Sequence, residues 1–368
     1  MYRCYFLLCL LLLLLGCKDF FPAALPELPH YRHAIFDRSQ IRVQRDIVYS
    51  TVDYTNSIRI WEEEWELSPH FSRLLAPTVT RSLGLDVYGA PDDTLRAGVL
   101  LFHGGAFLPG TGSKSDRAIV QLAYALAQRG YRVMSIDYRS MNALAPSFYK
   151  GGYVAAQDGK AALHFLVNHS ERFRIHPEAL FVGGISAGAI TALHTAYLDE
   201  GEPILDRSDK LDRIFGCLTC TAEELERPYQ LQGVINISGG LFDLDVLENN
   251  EIPALHFHGA RDDLIPPGCA VPLSGAGRGY NRFCDWLGRL CRDRPAVRRE
   301  LTEARLIPIC GSGAIHTALE NHGTPSDYHY LPNEDHYFLT ADNGTPTTQG
   351  REAVRAITDF VYDRLENE

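Results

Sequence analysis

A serine held between small residues where a strand gives way to a helix is the first place in this sequence where chemistry is legible. Gly184-Ile185-Ser186-Ala187-Gly188 follows the apolar run Leu180-Phe181-Val182 and opens a segment of helical character. In that context G-x-S-x-G describes a turn so tight that side chains at its two glycine positions would collide with the neighbouring strand and helix. The turn projects the Ser186 hydroxyl into a pocket and aims the N-terminus of the following helix at the charge that develops there. A hydroxyl so placed becomes a nucleophile once a base comes within hydrogen-bond reach. Upstream, His103-Gly104-Gly105-Ala106-Phe107 supplies a glycine-rich turn at the end of another apolar run. Acyl transfer needs backbone N–H groups aimed at a tetrahedral oxyanion, and a chain without bulky side chains approaches closely enough to offer them.

Both motifs need rigid elements to carry them. Val99–Phe102, Val133–Ile136, Leu180–Val182, Val234–Ile237 and Ala254–Phe257 are short apolar runs of the kind buried on both faces of a sheet. Between the first two, Ile119, Leu122, Ala123 and Leu126 recur at helical spacing, and Gly130 stands where that helix stops. Further helices are predicted from about Tyr153 to Asn168 and from about Arg351 to Leu365, with antiparallel edge strands at Asp46 to Val52 and Leu83 to Tyr88. The alternation predicts an α/β fold with a mostly parallel central sheet flanked by helices, in a single domain from 46 to 368. Two stretches, about 199–231 and 267–326, fit the alternation poorly and hold Cys217, Cys220, Cys269, Cys284, Cys291 and Cys310. They read as insertions stapled by disulfides, with fifteen full pairings open. Cys217-Leu-Thr-Cys220 also suggests a redox pair or zinc knuckle, but no second ligand pair follows at the right spacing.

With these motifs in place, the sequence resembles the hormone-sensitive-lipase and carboxylesterase branch of the α/β-hydrolases. An H-G-G-G-type turn stands one crossover before Asp137-Tyr138-Arg139 and two before G-x-S-x-G. The resemblance implies that the N–H groups of Gly105, Ala106 and Ala187 form the oxyanion hole, with Ala106 standing where the family pattern has its third glycine. It also implies the chain order nucleophile, acid, base. His258-Gly-Ala-Arg-Asp262-Asp-Leu-Ile-Pro266 is similar to the family's H-G-x-x-D-x-x-[VI]-P turn and aligns Asp262 with the acid, with Asp263 as runner-up. Leu331-Pro-Asn-Glu-Asp-His336 closes a short strand before the last helix, where the family places its histidine, so His336 is the expected base. His322 and His329 are its nearby competitors; His103, His256 and His258 read as structural, and Asp158 as a structural hydrogen-bond partner. The implied reaction is serine carboxylester hydrolysis through an acyl-enzyme on short acyl esters, carbohydrate-linked or small-molecule, with no metal or organic cofactor. The resemblance runs from about Leu85 to the C-terminus, interrupted by the two insertions. A peptidase on the same fold and a non-catalytic binding protein that keeps it are the alternatives.

The N-terminus carries a different signal. Arg3 precedes an apolar run from Tyr5 to Leu15, too short to span a bilayer, that ends Leu14-Leu15-Gly16-Cys17 and resembles the bacterial lipobox. Residues 1–16 then form a signal peptide, Cys17 becomes the lipidated first residue of an exported, membrane-anchored protein, and 17–45 is a tether. A net charge of −11 without a dense basic cluster excludes nucleic acid as a partner. With 45% hydrophobic and 22% charged residues, the chain of 368 residues buries a large core. Oligomeric state is not written in the sequence.

Overall fold

Val99 and Leu101 turn to one side of their strand, Leu100 and Phe102 to the other, and all four are fully buried. A strand apolar on both faces needs a layer of structure against each, and this requirement organises the fold. The computed structural model describes residues 28–53, 80–108, 110–140, 148–202, 208–272, 307–341 and 343–366. Residues 1–16, expected above to form a signal peptide, and Cys17, Cys284 and Cys291 lie outside them. In chain order the elements are β1 Arg42–Asp53, β2 Thr80–Gly89, β3 Arg96–Phe102, α1 Arg117–Ala127, β4 Arg132–Ile136, α2 Phe148–Asn168, the single turn α3 Ser170–Phe173, β5 Ile175–Ile185, α4 Ala187–Tyr197, α5 Ser208–Phe215, β6 Leu231–Ile237, β7 Gly240–Leu241, β8 Ala254–Gly259, β9 Cys269–Ala270, β10 Ile309–Gly311, α6 Ser312–His322, β11 Ser326–Leu331 and α7 Thr348–Glu366.

Eight strands form one sheet in the order β1-β2-β4-β3-β5-β6-β8-β11. The β1–β2 and β2–β4 pairs are antiparallel and every other pair is parallel. On one face α2, α4 and α6 pack over Leu100, Phe102, Met134, Val182 and Val234. On the other, α1 and α7 cover Val99, Leu101, Val133, Phe181, Ile235 and Phe257. The two expected antiparallel strands and all three expected helices are present. α2 begins at Phe148, five residues before its expected start, and β1 at Arg42, inside the expected tether. The chain from Leu28 also packs on the domain: Tyr31 and Ile35 donate their N–H groups to the carbonyls of Arg129 and Gln128.

The two cysteine-bearing stretches fare differently. The first carries α5 and a Cys217–Cys220 disulfide. Its helix end is held by Gln157, whose side-chain amide donates to the carbonyls of Phe215, Gly216 and Cys217 at 3.1, 3.0 and 2.8 Å. The second is not wholly an insertion. α6 runs between the two parallel strands β8 and β11 as an ordinary crossover helix, and its only fully buried apolar residues, Ile315 and Leu319, are too few to announce it in sequence. Just before it, β7, β10 and β9 make a small antiparallel sheet in which Cys269 and Cys310 sit opposite one another and are disulfide-bonded.

One buried ion pair fixes the loop beyond β4. The Asp158 carboxylate accepts from Arg139 Nε at 2.8 Å and from the Arg139 backbone N–H at 2.7 Å, and it meets Nη2 at 2.7 Å. Both side chains are out of water, so the loss of one strands the other. Asp158→Ala is expected to lower the unfolding free energy in urea by about 3–5 kcal/mol, whereas Asp158→Leu with Arg139→Met recovers most of the loss.

Candidate active site

The sequence motifs converge where the parallel strands end. Ser186 follows β5, the 103–107 turn follows β3, Asp262 follows β8 and His336 follows β11. Open α/β sheets bind ligands at this end, because there the loops of adjacent strands meet in a crevice.

Ser186 sits at φ 57° and ψ −122°, a conformation that side-chain-bearing residues rarely adopt. Packing leaves the chain no alternative. A Cβ at Gly184 would lie 2.2 Å from the Gly188 carbonyl oxygen, and one at Gly188 would lie 2.1 Å from that of Phe102. Both glycines are therefore required by close approach, as the motif implied. The Ser186 N–H donates to the Ile237 carbonyl at 2.8 Å, tying the elbow to the end of β6.

The Ser186 hydroxyl lies 2.8 Å from His336 Nε2, and His336 Nδ1 lies 2.7 Å from Asp262 Oδ2. Asp262, not Asp263, is the carboxylate on His336. Of the competing histidines, His329 stacks on Phe257 with ring centroids 4.6 Å apart, and His322 occupies the last turn of α6. An imidazole between a carboxylate and a hydroxyl carries its proton on Nδ1 and keeps Nε2 free to accept the hydroxyl proton.

His258 was not assigned to the site by its sequence, yet it bonds to the same carboxylate. Its Nε2 lies 3.2 Å from Asp262 Oδ2 and 2.8 Å from the Ile265 carbonyl, so this nitrogen bears the proton. Its Nδ1 then accepts from Ser312, whose Oγ is 2.7 Å away and whose N–H is 3.4 Å away. Asp262 Oδ1 accepts the N–H groups of Leu264 and Ile265 at 3.0 and 2.9 Å. Burial by itself would raise the Asp262 carboxyl, but the positive charge available at His336 and the hydrogen bonds from His258 and His336 hold it well below the usual carboxylate range. The only signal in the sequence was the spacing, which sets His258 at the end of β8 four residues before Asp262.

Across from the hydroxyl stands the glycine-rich turn. Among the described residues, no group accepts from the N–H of Gly105, Ala106 or Ala187. His103 is buried and stacks on Tyr138 with centroids 4.4 Å apart; its Nδ1 lies 2.6 Å from the Gly104 carbonyl. Burial pushes the His103 imidazole below its ordinary range, which favours its neutral form. Between turn and hydroxyl lies a cavity of about 360 Å³ lined by Ser186, His336, Gly105, Ala106 and, on its apolar walls, Phe148, Leu264 and Leu339. Those walls come from three separate segments, the first turn of α2, the turn after β8 and the loop after β11, and none was identified as a wall in the sequence. Asp116 and Arg117 stand at its margin. Among the described residues, no cluster of three or more His, Cys, Asp or Glu is placed to hold a metal ion.

Residues 85–251 match the family model BD-FAE. Among solved structures, esterase 2 of Thermogutta terrifontis phosphorylated by paraoxon superposes with a TM-score of 0.53 at 15% identity, covering 89% of this chain and 95% of that one. The same esterase phosphoramylated by tabun gives 0.52 at 14% identity, over 89% and 96%. At this identity the likeness is one of fold. No curated protein matches the sequence.

The satisfied carboxylate has a consequence for stability against acid. An unfolded Asp titrates near about 3.9, and the folded Asp262 titrates lower. Its contribution is therefore fully present above the unfolded value and is lost as pH falls through that value toward the folded one. Urea unfolding of the parent and of Asp262→Asn is expected to differ most above about pH 5 and to converge as pH falls below about 4.

Proposed function

We propose that this chain, an α/β-hydrolase by fold, is a serine carboxylester hydrolase that works through an acyl-enzyme. The observation that carries the reading is the unbroken line from Ser186 Oγ through His336 to Asp262, with steps of 2.8 and 2.7 Å, at the wall of a cavity. In this reading His336 Nε2 takes the hydroxyl proton as Oγ attacks the ester carbonyl. The N–H groups of Gly105, Ala106 and Ala187 receive the oxyanion. His336 then returns the proton to the leaving alcohol, and water repeats the sequence to free the acid. Asp262 holds the tautomer and stabilises the imidazolium that forms. The match of residues 85–251 to an esterase-type family model and the esterase fold likeness support the same chemistry.

The substrate proposed is a short acyl ester of a carbohydrate or small alcohol. A largely apolar cavity of about 360 Å³ has room for a short acyl group and part of the alcohol beside it. The proposed location is the cell envelope, on a lipid anchor at Cys17. The fold offers a supporting geometry. Arg96 Nη1 donates to the carbonyls of Pro29 and Gly130, both at 3.0 Å, at the starting ends of β3 and β4. The N-terminal segment thus docks at the end of the sheet opposite the cavity. Ten residues lie between Cys17 and Leu28, and the eleven Cα–Cα steps they make reach at most about 36–40 Å. An enzyme tethered this way would present its cavity away from the bilayer, toward soluble or wall-bound esters.

The test is hydrolysis of p-nitrophenyl acetate, butyrate and decanoate by the protein starting after Cys17. Turnover is expected to favour the two short esters and to fall by at least about 10⁴-fold in Ser186→Ala. Paraoxon should abolish turnover and leave one diethyl phosphoryl group on the peptide containing Ser186. Turnover unchanged in Ser186→Ala would overturn the assignment.

A further inference from the structure

We infer that Thr111 is a positioning residue that sets the direction of the oxyanion-binding N–H groups, an inference resting on the hydrolase reading above. Ala106 and Phe107 lie at φ 52° and 58°, in the left-handed region that disfavours a side chain, and Gly105 before them is at 123°. Three successive residues in such conformations do not hold themselves in place, so neighbouring structure must impose them.

What imposes them is the chain immediately downstream. The Thr111 hydroxyl lies 2.5 Å from the Gly105 carbonyl oxygen and 2.5 Å from that of Leu108, sharing its one proton between them. The Leu108 N–H also donates to the Gly105 carbonyl, at 2.9 Å. In a trans peptide the C=O and the following N–H point in opposite directions, and the described residues contain no cis peptide. Pinning the Gly105 carbonyl against Thr111 therefore turns the Ala106 N–H the other way. The same logic applies one residue earlier, where His103 holds the Gly104 carbonyl and so orients the Gly105 N–H.

Thr111 itself is backed by a close approach. A Cβ at Gly112 would fall 2.1 Å from the Gly104 carbonyl oxygen, so the 110–112 segment lies directly against the rear of the turn. The methyl group of Ala106 adds to the cost of its left-handed conformation, so the turn depends on support from outside itself.

The experiment compares Thr111→Val, which keeps the shape and loses the hydroxyl, with Thr111→Ser, which keeps the hydroxyl, on p-nitrophenyl butyrate. In Thr111→Val kcat is expected to fall by about ten- to a hundredfold with KM within about threefold, since one donor is misdirected and not removed. Affinity for an alkyl trifluoromethyl ketone, whose hemiketal oxyanion needs the same N–H groups, should weaken by a comparable factor. Thr111→Ser should keep both values within about threefold of the parent. Thermal unfolding of each variant separates misdirection from loss of fold, and Thr111→Ala takes the place of Thr111→Val if the latter does not fold. Parent-like kcat and ketone affinity in Thr111→Val, equal losses in Thr111→Ser, or a change in KM alone would overturn the inference while the hydrolase reading stands. A parent enzyme inert toward every ester and toward paraoxon would overturn the hydrolase reading, and the role of Thr111 with it.

Discussion

Asp262 is a charge taken out of water, and much of the structure around it exists to make that tolerable. A buried carboxylate is strongly unfavourable unless its oxygens are all engaged. Here two backbone N–H groups of its own turn bind one oxygen, and the imidazoles of His336 and His258 bind the other. Each partner makes a demand in turn. His258 must present Nε2–H, so its Nδ1 must accept, and Ser312 supplies the donor from the first turn of α6. Ser312 Oγ accepts from Asn236 on β6, whose side-chain amide also reaches His256 Nδ1 at 2.9 Å. A single carboxylate thereby fixes the relative placement of β6, β8, α6 and the loop that carries His336.

The covalent chemistry of the chain reinforces the same region. The turn that begins at Asp262 runs through Pro266 and Pro267 into Cys269, and the Cys269–Cys310 disulfide returns it to β10. The end of β10 and the start of α6 close the circuit: the Gly311 N–H donates to the Gly268 carbonyl and the Gly313 N–H to that of Pro267. The turn of the acid is thus held from the β8 side by hydrogen bonds and from the β10 side by a cross-link. Cross-linking also restricts the unfolded chain, which adds stability independently of the local geometry.

What the sequence disclosed and what it withheld follow from how local each signal is. Ser186 and the 103–107 turn are legible because a tight turn between a buried strand and its following element constrains four or five consecutive residues. The strands are legible because burial on both faces demands uninterrupted apolar runs. α2 starts earlier than its pattern because its first turn, Phe148 to Gly151, mixes aromatic, charged and glycine residues and draws its order from tertiary packing. α6 is hidden because only one short stripe of it is buried. Asp262 could be told from Asp263 only by the family pattern, since both stand in the same turn and the difference is which side chain meets a histidine 74 residues away. The roles of Thr111, His258 and the cavity walls are not legible, because each rests on side-chain and carbonyl contacts that neither periodicity nor a motif encodes.

Backbone strain marks the same end of the molecule. Of the seven side-chain-bearing residues at positive φ among the described residues, four, Ala106, Phe107, Ser186 and Ser238, lie just beyond the carboxyl ends of β3, β5 and β6. Each costs on the order of 1–3 kcal/mol and persists only where packing over-determines it. Ser186 is held by the Ile237 carbonyl and by the contact of Gly188 with Phe102; Ser238 donates its N–H to Phe257. The restraints on Ser186 and Ser238 originate in neighbouring strands, whereas Ala106 and Phe107 are held by the 110–112 segment of their own loop. A hydroxyl raised on a strained elbow, facing N–H groups that no group among the described residues accepts, is organised before any ester arrives. In the hydrolase reading, preorganisation of this kind lowers a barrier because the dipoles need not reorient as charge develops; the sheet and its buried carboxylate hold the hydroxyl and His336, and the 110–112 segment holds the turn.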